Sequence, residues 1–315
     1  MKTREHEPSF DASRARFLRA LLAAASAAVA WPATTAKANK STMLTRPIPR
    51  TAEPLPVIGC GTYIGFDVDD AGPDFERLRA VLRALVESGG RVLDSSPMYG
   101  RAERVTGALL ARDGLAERAF VATKIWTSGR DAGAQQLEAS MRLLRKRPLD
   151  LVQIHNLLDW RTHLPTLREA QRTGEIRYVG VSHYTPSAYR ELEAVLRAER
   201  LDFVQINYAM DDREAEERIL PLAADRGVAV LVNRPFGGGG LLRRLADRPL
   251  PAWSSEIGAT SWAQVLLKFT LSHPAVTCVI PGSGNPSHMA DNAAAGLGPI
   301  PDASFWKERA AQVVG

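Results

Sequence analysis

The chain has 315 residues, 45% hydrophobic and 24% charged, with a formal net charge of +5. This ordinary globular composition excludes fibrous and disordered classes. Six basic residues (Lys2, Arg4, Arg14, Arg16, Arg19, Lys37) against three acids lie in the first 38 residues, so the remainder carries a net charge of only +2. A nucleic-acid-binding face needs concentrated basic charge, and none is expected. The densest later cluster, Arg142, Arg145, Lys146 and Arg147, reads as a solvated helix end.

In chain order, residues 12–38 come first, as a basic stretch, a small-residue apolar run from Ala20 to Trp31, and Ala36-Lys37-Ala38. That is the pattern of a cleavable export signal. The apolar run is too short for a stable membrane span, which takes about 20 residues. Ser13 to Arg19 resembles a twin-arginine motif, although Ala15 separates the two arginines. The expectation is therefore export to the periplasm or beyond, with cleavage after Ala38 and an alternative cut after Ala30. A cytoplasmic protein with an Ala-rich N-terminal helix is the competing reading.

From residue 50 onward, short Val/Ile/Leu-rich runs recur at 57–60, 91–94, 119–123, 150–154, 177–181, 202–206, 228–232 and 276–280. Continuous apolar runs of this length suit strands buried on both faces of a parallel sheet. Amphipathic stripes lie between them, such as Phe75, Leu78, Val81, Leu82, Leu85 and Val86; Leu137, Met141 and Leu144; and Leu192, Val195 and Leu196. Eight strands alternating with helices predict an α/β fold, a (β/α)8 TIM barrel, as one domain over 43–315. A doubly wound open sheet is the alternative, but Gly59 to Gly65 lacks the GxGxxG spacing that it normally carries. Cys60 and Cys278 fall in predicted strands and read as buried free thiols rather than a disulfide framework. No Cys/His cluster suggests a metal.

Chemistry in such barrels lies at the C-terminal strand ends. Asp94 ends the second strand, Tyr99 follows in its loop, Lys124 ends the third and His155 the fourth. Each has a bland reading alone: a turn cap, a rim residue, a solvated lysine, a core histidine. Together they are harder to dismiss. A Lys ending an apolar strand is costly unless paired, and Asp94 supplies the partner. A cation beside a phenol favours the phenolate, so Lys124 is expected to lower the Tyr99 pKa.

Asp94-x-x-x-x-Tyr99-Gly100, Lys124 and His155 resemble the catalytic signature of the aldo-keto reductases. So, in order, do Gly180-Val181-Ser182-His183-Tyr184, Gln205-Ile206-Asn207-Tyr208, and Ile280-Pro281-Gly282-Ser283 followed by Asp291-Asn292. The resemblance covers residues 43–300. It implies a nicotinamide cofactor lying across the barrel mouth, with hydride delivered to a carbonyl carbon. Tyr99 would then give the proton, Lys124 and Asp94 would tune it, and His155 would orient the carbonyl oxygen. Ser182, His183 and Gln205 would contact the nicotinamide carboxamide, with His183 standing where the family usually has Asn. Asn233 replaces an aromatic that commonly stacks on the nicotinamide, and Arg234 would reach the pyrophosphate. Thr62, Tyr63, Phe236 and Gly237 complete the expected cofactor contacts on that side. The Gly237–Gly240 run reads equally as a phosphate cradle and as a mobile loop. Pro281, Gly282, Ser283, His288, Asp291 and Asn292 would hold the adenine-phosphate end. Gly282 and His288 occupy positions where members that prefer NADPH often carry Lys and Arg; NADPH is the expectation, with NADH open.

Tyr63, Phe66, Trp126, Trp160 and Phe236 are candidates for an aromatic substrate mouth. The expected partner is a small-molecule carbonyl, with no nucleic acid, no membrane span and a monomeric state, an oligomer remaining open. The rival function is a nicotinamide-binding redox sensor on the same fold, because fold alone does not settle function.

Overall fold

Residues 42–315 are described, in a computed structural model; the export signal expected at 1–38 lies outside them. In chain order the strands are β1 (Thr45–Pro47), β2 (Pro54–Pro56), β3 (Cys60–Gly61), β4 (Val92–Asp94), β5 (Phe120–Ile125), β6 (Leu149–His155), β7 (Ile176–Ser182), β8 (Phe203–Asn207), β9 (Ala229–Asn233) and β10 (Val276–Val279). Strands β3 to β10 are parallel and each neighbours the next in sequence. Parallel bridges between Ile58 and Val279 and between Gly61 and Gly282 bring the two ends of the sheet together. The result is the expected eight-stranded barrel.

The first barrel strand is ladder-paired only over Cys60–Gly61, where a run over 57–60 is expected. Residues 57–59 instead bond to the far end of the sheet, with Val279 N–H donating to Val57 O at 2.8 Å and Gly59 N–H to Val279 O at 2.9 Å. Those bonds close the barrel.

Side chains of a strand alternate between its faces, and that period sets the whole interior. Val92, Phe120, Ala122, Leu151, Tyr178, Phe203, Ala229, Leu231, Cys278 and Ile280 form one buried cluster. Counting on by twos toward the C-terminal ends reaches Asp94, Lys124, Gln153, His155, Ser182, Gln205 and Asn233. One register thus yields an apolar plug below and a polar layer above it.

The barrel floor was not legible in the sequence. The β1–β2 hairpin is antiparallel and inserts Ile48 and Leu55 into the interior cluster. Glu53 in its turn accepts from Arg91 at 3.1 Å and from the Tyr178 hydroxyl at 2.7 Å, groups at the N-terminal ends of β4 and β7.

The helices are α1 (Gly72–Glu87), α2 (Ala102–Arg112), α3 (Arg130–Leu144), α4 (Trp160–Arg172), α5 (Tyr189–Ala198), α6 (Ile219–Asp225), α7 (Gly240–Leu245), α8 (Trp262–Ser272), α9 (Pro286–Ala294) and α10 (Ala303–Val314). The expected stripes are the buried ones: Phe75, Leu78, Val81, Leu82 and Leu85 on α1, Leu137, Met141 and Leu144 on α3, and Leu192, Val195 and Leu196 on α5. Each such side chain contributes about 1.5–3 kcal/mol on leaving water. Among the described residues, no helix is long and apolar enough to cross a membrane.

Candidate active site

At the C-terminal end of the barrel, Lys124 is wholly buried. Its ammonium donates to Asp94 Oδ2 and to Ser95 O, both at 2.7 Å. The other Asp94 oxygen accepts from Gln205 Nε2 at 2.9 Å and Gln153 Nε2 at 3.3 Å. The carboxylate is thus anchored from β5, β6 and β8 at once. Burial opposes the Lys124 charge, but Asp94 and Tyr99 outweigh it and its pKa stands above the ordinary lysine value. The lysine stays an ammonium.

Tyr99 lies over this pair, with Lys124 Nζ 5.1 Å from its ring centroid. Gly100 makes the turn that sets it there. Its φ is +59°, and a Cβ would meet the Asp67 carboxylate at 2.5 Å. Asp67 in turn accepts from the Arg101 backbone N–H at 3.0 Å. Lys124 does pull the Tyr99 pKa down, as expected, but the net shift is upward. Burial is the largest influence and Asp94 adds to it. The expectation of a lowered phenol pKa is therefore corrected: burial of the ring costs the phenolate more than the ammonium returns. Tyr99 is a protonated phenol at neutral pH, the form a proton donor requires.

His155 is 5% exposed and bonds Ser182 Oγ through Nδ1 at 2.7 Å. Burial, then Lys124 and His183, push its pKa down to about 3, so the ring is neutral. His183 is held below the ordinary value, chiefly by burial. Its Nδ1 accepts from Thr185 N–H at 3.3 Å, which leaves the proton on Nε2. Tyr184, which the sequence placed in a motif but gave no role, stacks on both imidazoles at 6.3 and 5.6 Å.

Asn233 Nδ2 donates to His183 O at 3.0 Å and reaches Gln205 Oε1 at 3.4 Å, while its Oδ1 is buried without a partner. Arg234 donates to Tyr184 O at 3.2 Å, with its guanidinium 5.8 Å from that ring's centroid. Gly237, Gly238 and Gly239 all have positive φ (58°, 66° and 88°) and form a tight turn. The Arg234 and Arg243 guanidinium groups crowd it, 2.9 and 3.3 Å from where Cβ atoms of Gly238 and Gly239 would stand. Three of the four glycine amides are spent inside the turn, those of Gly237, Gly239 and Gly240. Positive charge here comes mainly from the arginine side chains rather than from the glycine amides.

Several expected cofactor contacts are engaged elsewhere. The Thr62 hydroxyl is buried and donates to Asp94 O at 3.1 Å, with Ser95 Oγ at 3.0 Å. Asp291 accepts from Ser261 Oγ and Gln264 Nε2, both at 2.6 Å, and ties α9 to the start of α8. Pro281 O accepts from Gly61 N–H at 3.2 Å in the barrel closure. Asn292 is buried on α9, and His288 is exposed on it. Ser283 Oγ accepts from Asn285 N–H at 3.1 Å, and Asn285 caps α9. Gly282 is exposed beside Gly61. Arg77 of α1, also overlooked, donates to the Gly284 carbonyl in this loop. Only distant tertiary placement brings it there.

Of the proposed mouth aromatics, Tyr63 (60% exposed) and Trp126 (42%) do face solvent. Tyr63 packs on Tyr99 at 4.9 Å. Phe66 and Trp160 are buried core residues, and Phe236 packs partly buried against the core. Ile64, Met98 and Tyr184 join Tyr63 and Trp126 as exposed large apolar side chains on loops after β3, β4, β5 and β7. Among the described residues no group of His, Cys, Asp and Glu side chains is placed to hold a metal ion.

The model of the aldo/keto reductase family matches residues 57–310. The chain belongs to that family. It is 30% identical over 248 residues to the methylglyoxal reductase YeaE of Escherichia coli, covering 76% of this chain and 85% of that protein. An aldo/keto reductase of Klebsiella pneumoniae, solved in complex with NADP and acetate, superposes with a TM-score of 0.69 at 25% identity, covering 83% of this chain and 91% of that one. A Klebsiella pneumoniae aldo-keto reductase in complex with NADPH gives the same TM-score and identity over 87% and 94%. Asp94, Tyr99, Lys124 and His155, whose spacing resembles that family's catalytic signature, all lie within the matched residues.

Proposed function

We propose that this aldo-keto reductase reduces aldehyde or ketone carbonyls to alcohols, with NADPH as the reductant and Tyr99 as the proton donor. The observation that carries the reading is Tyr99 set over the buried Lys124–Asp94 pair, with burial favouring the neutral forms of Tyr99 and His155.

The surrounding residues fit a nicotinamide dinucleotide. Asn233 Oδ1 is a buried acceptor awaiting a donor, and leaving such a group unpaired costs about 1–3 kcal/mol. The carboxamide of a nicotinamide would supply that donor. Arg234 and Arg243 suit the pyrophosphate. Arg77 brings to the Ser283–Asn285 loop the cation that Gly282 and His288 do not, in keeping with NADPH. When bound, the dinucleotide supplies a hydride. Tyr99 holds its proton for the developing alkoxide, Lys124 stabilises the phenolate left behind, and His155 hydrogen-bonds the carbonyl oxygen. Tyr63, Ile64, Met98, Trp126 and Tyr184 give the mouth an apolar rim.

The similarity to a methylglyoxal reductase makes small α-oxoaldehydes the first substrates to test. The assay is aldehyde-dependent oxidation of NADPH, with dissociation constants for NADPH and NADH measured alongside. Tight NADPH binding without turnover on a broad carbonyl panel refutes the reductase reading and favours the redox-sensing one. Export of the chain is a separate proposal resting on residues 1–38. A mature terminus at Asn39 outside the cytoplasm supports it, and an intact Met1 terminus in the cytosol refutes it.

A further inference from the structure

Ser182 Oγ and His155 Nδ1 lie 2.7 Å apart, inside the wall of the barrel mouth. Two arrangements satisfy that distance. The hydroxyl donates to a bare Nδ1, which leaves the ring proton on Nε2. Alternatively, an Nδ1–H donates to the hydroxyl oxygen, which leaves Nε2 bare. Ser182 is wholly buried, and among the described residues His155 Nδ1 is the one acceptor its hydroxyl meets. In the second arrangement the serine proton has nowhere to go, and a buried hydroxyl with its hydrogen unspent is rare and costly.

We propose that Ser182 is a positioning residue that fixes His155 in the Nε2–H tautomer, so that the ring presents a donor to a substrate carbonyl oxygen. The opposite tautomer presents a lone pair and repels that oxygen. Protonation offers the ring no second route, because His155 remains neutral down to about pH 3. Tautomer choice alone decides whether the imidazole attracts or repels a carbonyl at neutral pH. The serine oxygen also keeps a lone pair. That lone pair would let it accept an N–H from a nicotinamide carboxamide without releasing Nδ1, and the two bonds would polarise each other in the same direction. With a dinucleotide bound, Ser182 would carry two duties: a cofactor contact and the setting of its neighbour's proton.

The tautomer is readable in the unliganded full-length protein by nitrogen–proton correlation NMR of histidine-labelled chain. His155→Gln assigns the signal among the six histidines. The expected wild-type result is a bare Nδ1 and a protonated Nε2. Ser182→Ala is expected to give a mixture of tautomers and a kcat lower by roughly fivefold to tenfold, the loss of one ordinary hydrogen bond; Ser182→Thr is expected to restore both. A wild-type ring protonated at Nδ1 overturns the proposal. So does a Ser182→Ala protein that keeps the single Nε2–H tautomer. The kinetic arm rests on the reductase reading, whereas the NMR arm does not. Should the tautomer follow Ser182 while no carbonyl is reduced, the reductase reading fails and the role of Ser182 in setting the ring stands.

Discussion

Replacing Tyr99 by Phe removes one oxygen and its proton and little else. The Phe ring keeps the packing against Tyr63, now 4.9 Å between centroids, and Lys124 keeps its bonds to Asp94 and Ser95. Positioned proton transfer contributes about 10²–10⁴-fold, or roughly 3–5 kcal/mol of barrier. The expected variant folds, binds NADPH with unchanged affinity, and loses that factor in kcat, read from NADPH oxidation with an α-oxoaldehyde. The wild-type pH profile tests the same proton. Because burial lifts the Tyr99 pKa above the ordinary phenol value, reduction should stay flat through pH 7–9 and fall only above about pH 10, where the donor is lost. Full activity in Tyr99→Phe refutes the proton-donor assignment. A wild-type base limb near pH 7–8 would show that Lys124 outweighs burial and would refute the electrostatic reasoning.

Lys124→Met strands the Asp94 carboxylate in the barrel, and breaking a buried pair in this way costs about 3–5 kcal/mol. Urea unfolding should show that loss, with part of it recovered in the Lys124→Met, Asp94→Asn double variant. Lys268 on α8 is buried and donates to Leu297 O and Pro299 O at 3.0 and 2.9 Å, and burial lowers its pKa to about 8. Its folded pKa lies below its unfolded value of about 10.4, so the unfolded chain binds more protons between them. Stability should therefore rise from about pH 8 to pH 10.4, by about 1–3 kcal/mol relative to Lys268→Met; parallel profiles for the two proteins would contradict this. Arg243 has no carboxylate partner among the described residues and sits against the glycine turn. Arg243→Ala should weaken NADPH binding by about tenfold or more in titration calorimetry, as expected for a charge-assisted contact, and leave the melting temperature unchanged.

The strand period and the motif spacing are properties of neighbouring residues, so both can be read along the chain. Apolar runs locate the eight barrel strands, and counting by twos from Phe120 or Leu151 leads to Lys124 and His155. The Asp94-to-Gly100 spacing and the place of Lys124 and His155 at strand ends pick out the candidate catalytic cluster for the same reason. What depends on groups far apart in sequence emerged only on folding. The β1–β2 floor arises because Glu53 meets Arg91 and Tyr178 across the barrel bottom. Thr62 and Asp291 are expected cofactor contacts, yet their side chains bond Asp94 O and the start of α8. Arg77 reaches the loop before α9 from a helix more than two hundred residues earlier. The direction of the Tyr99 shift belongs to the same class: sequence can name the cation beside a phenol, but the degree of burial, which decides whether that cation wins, is a sum over the whole packed barrel mouth.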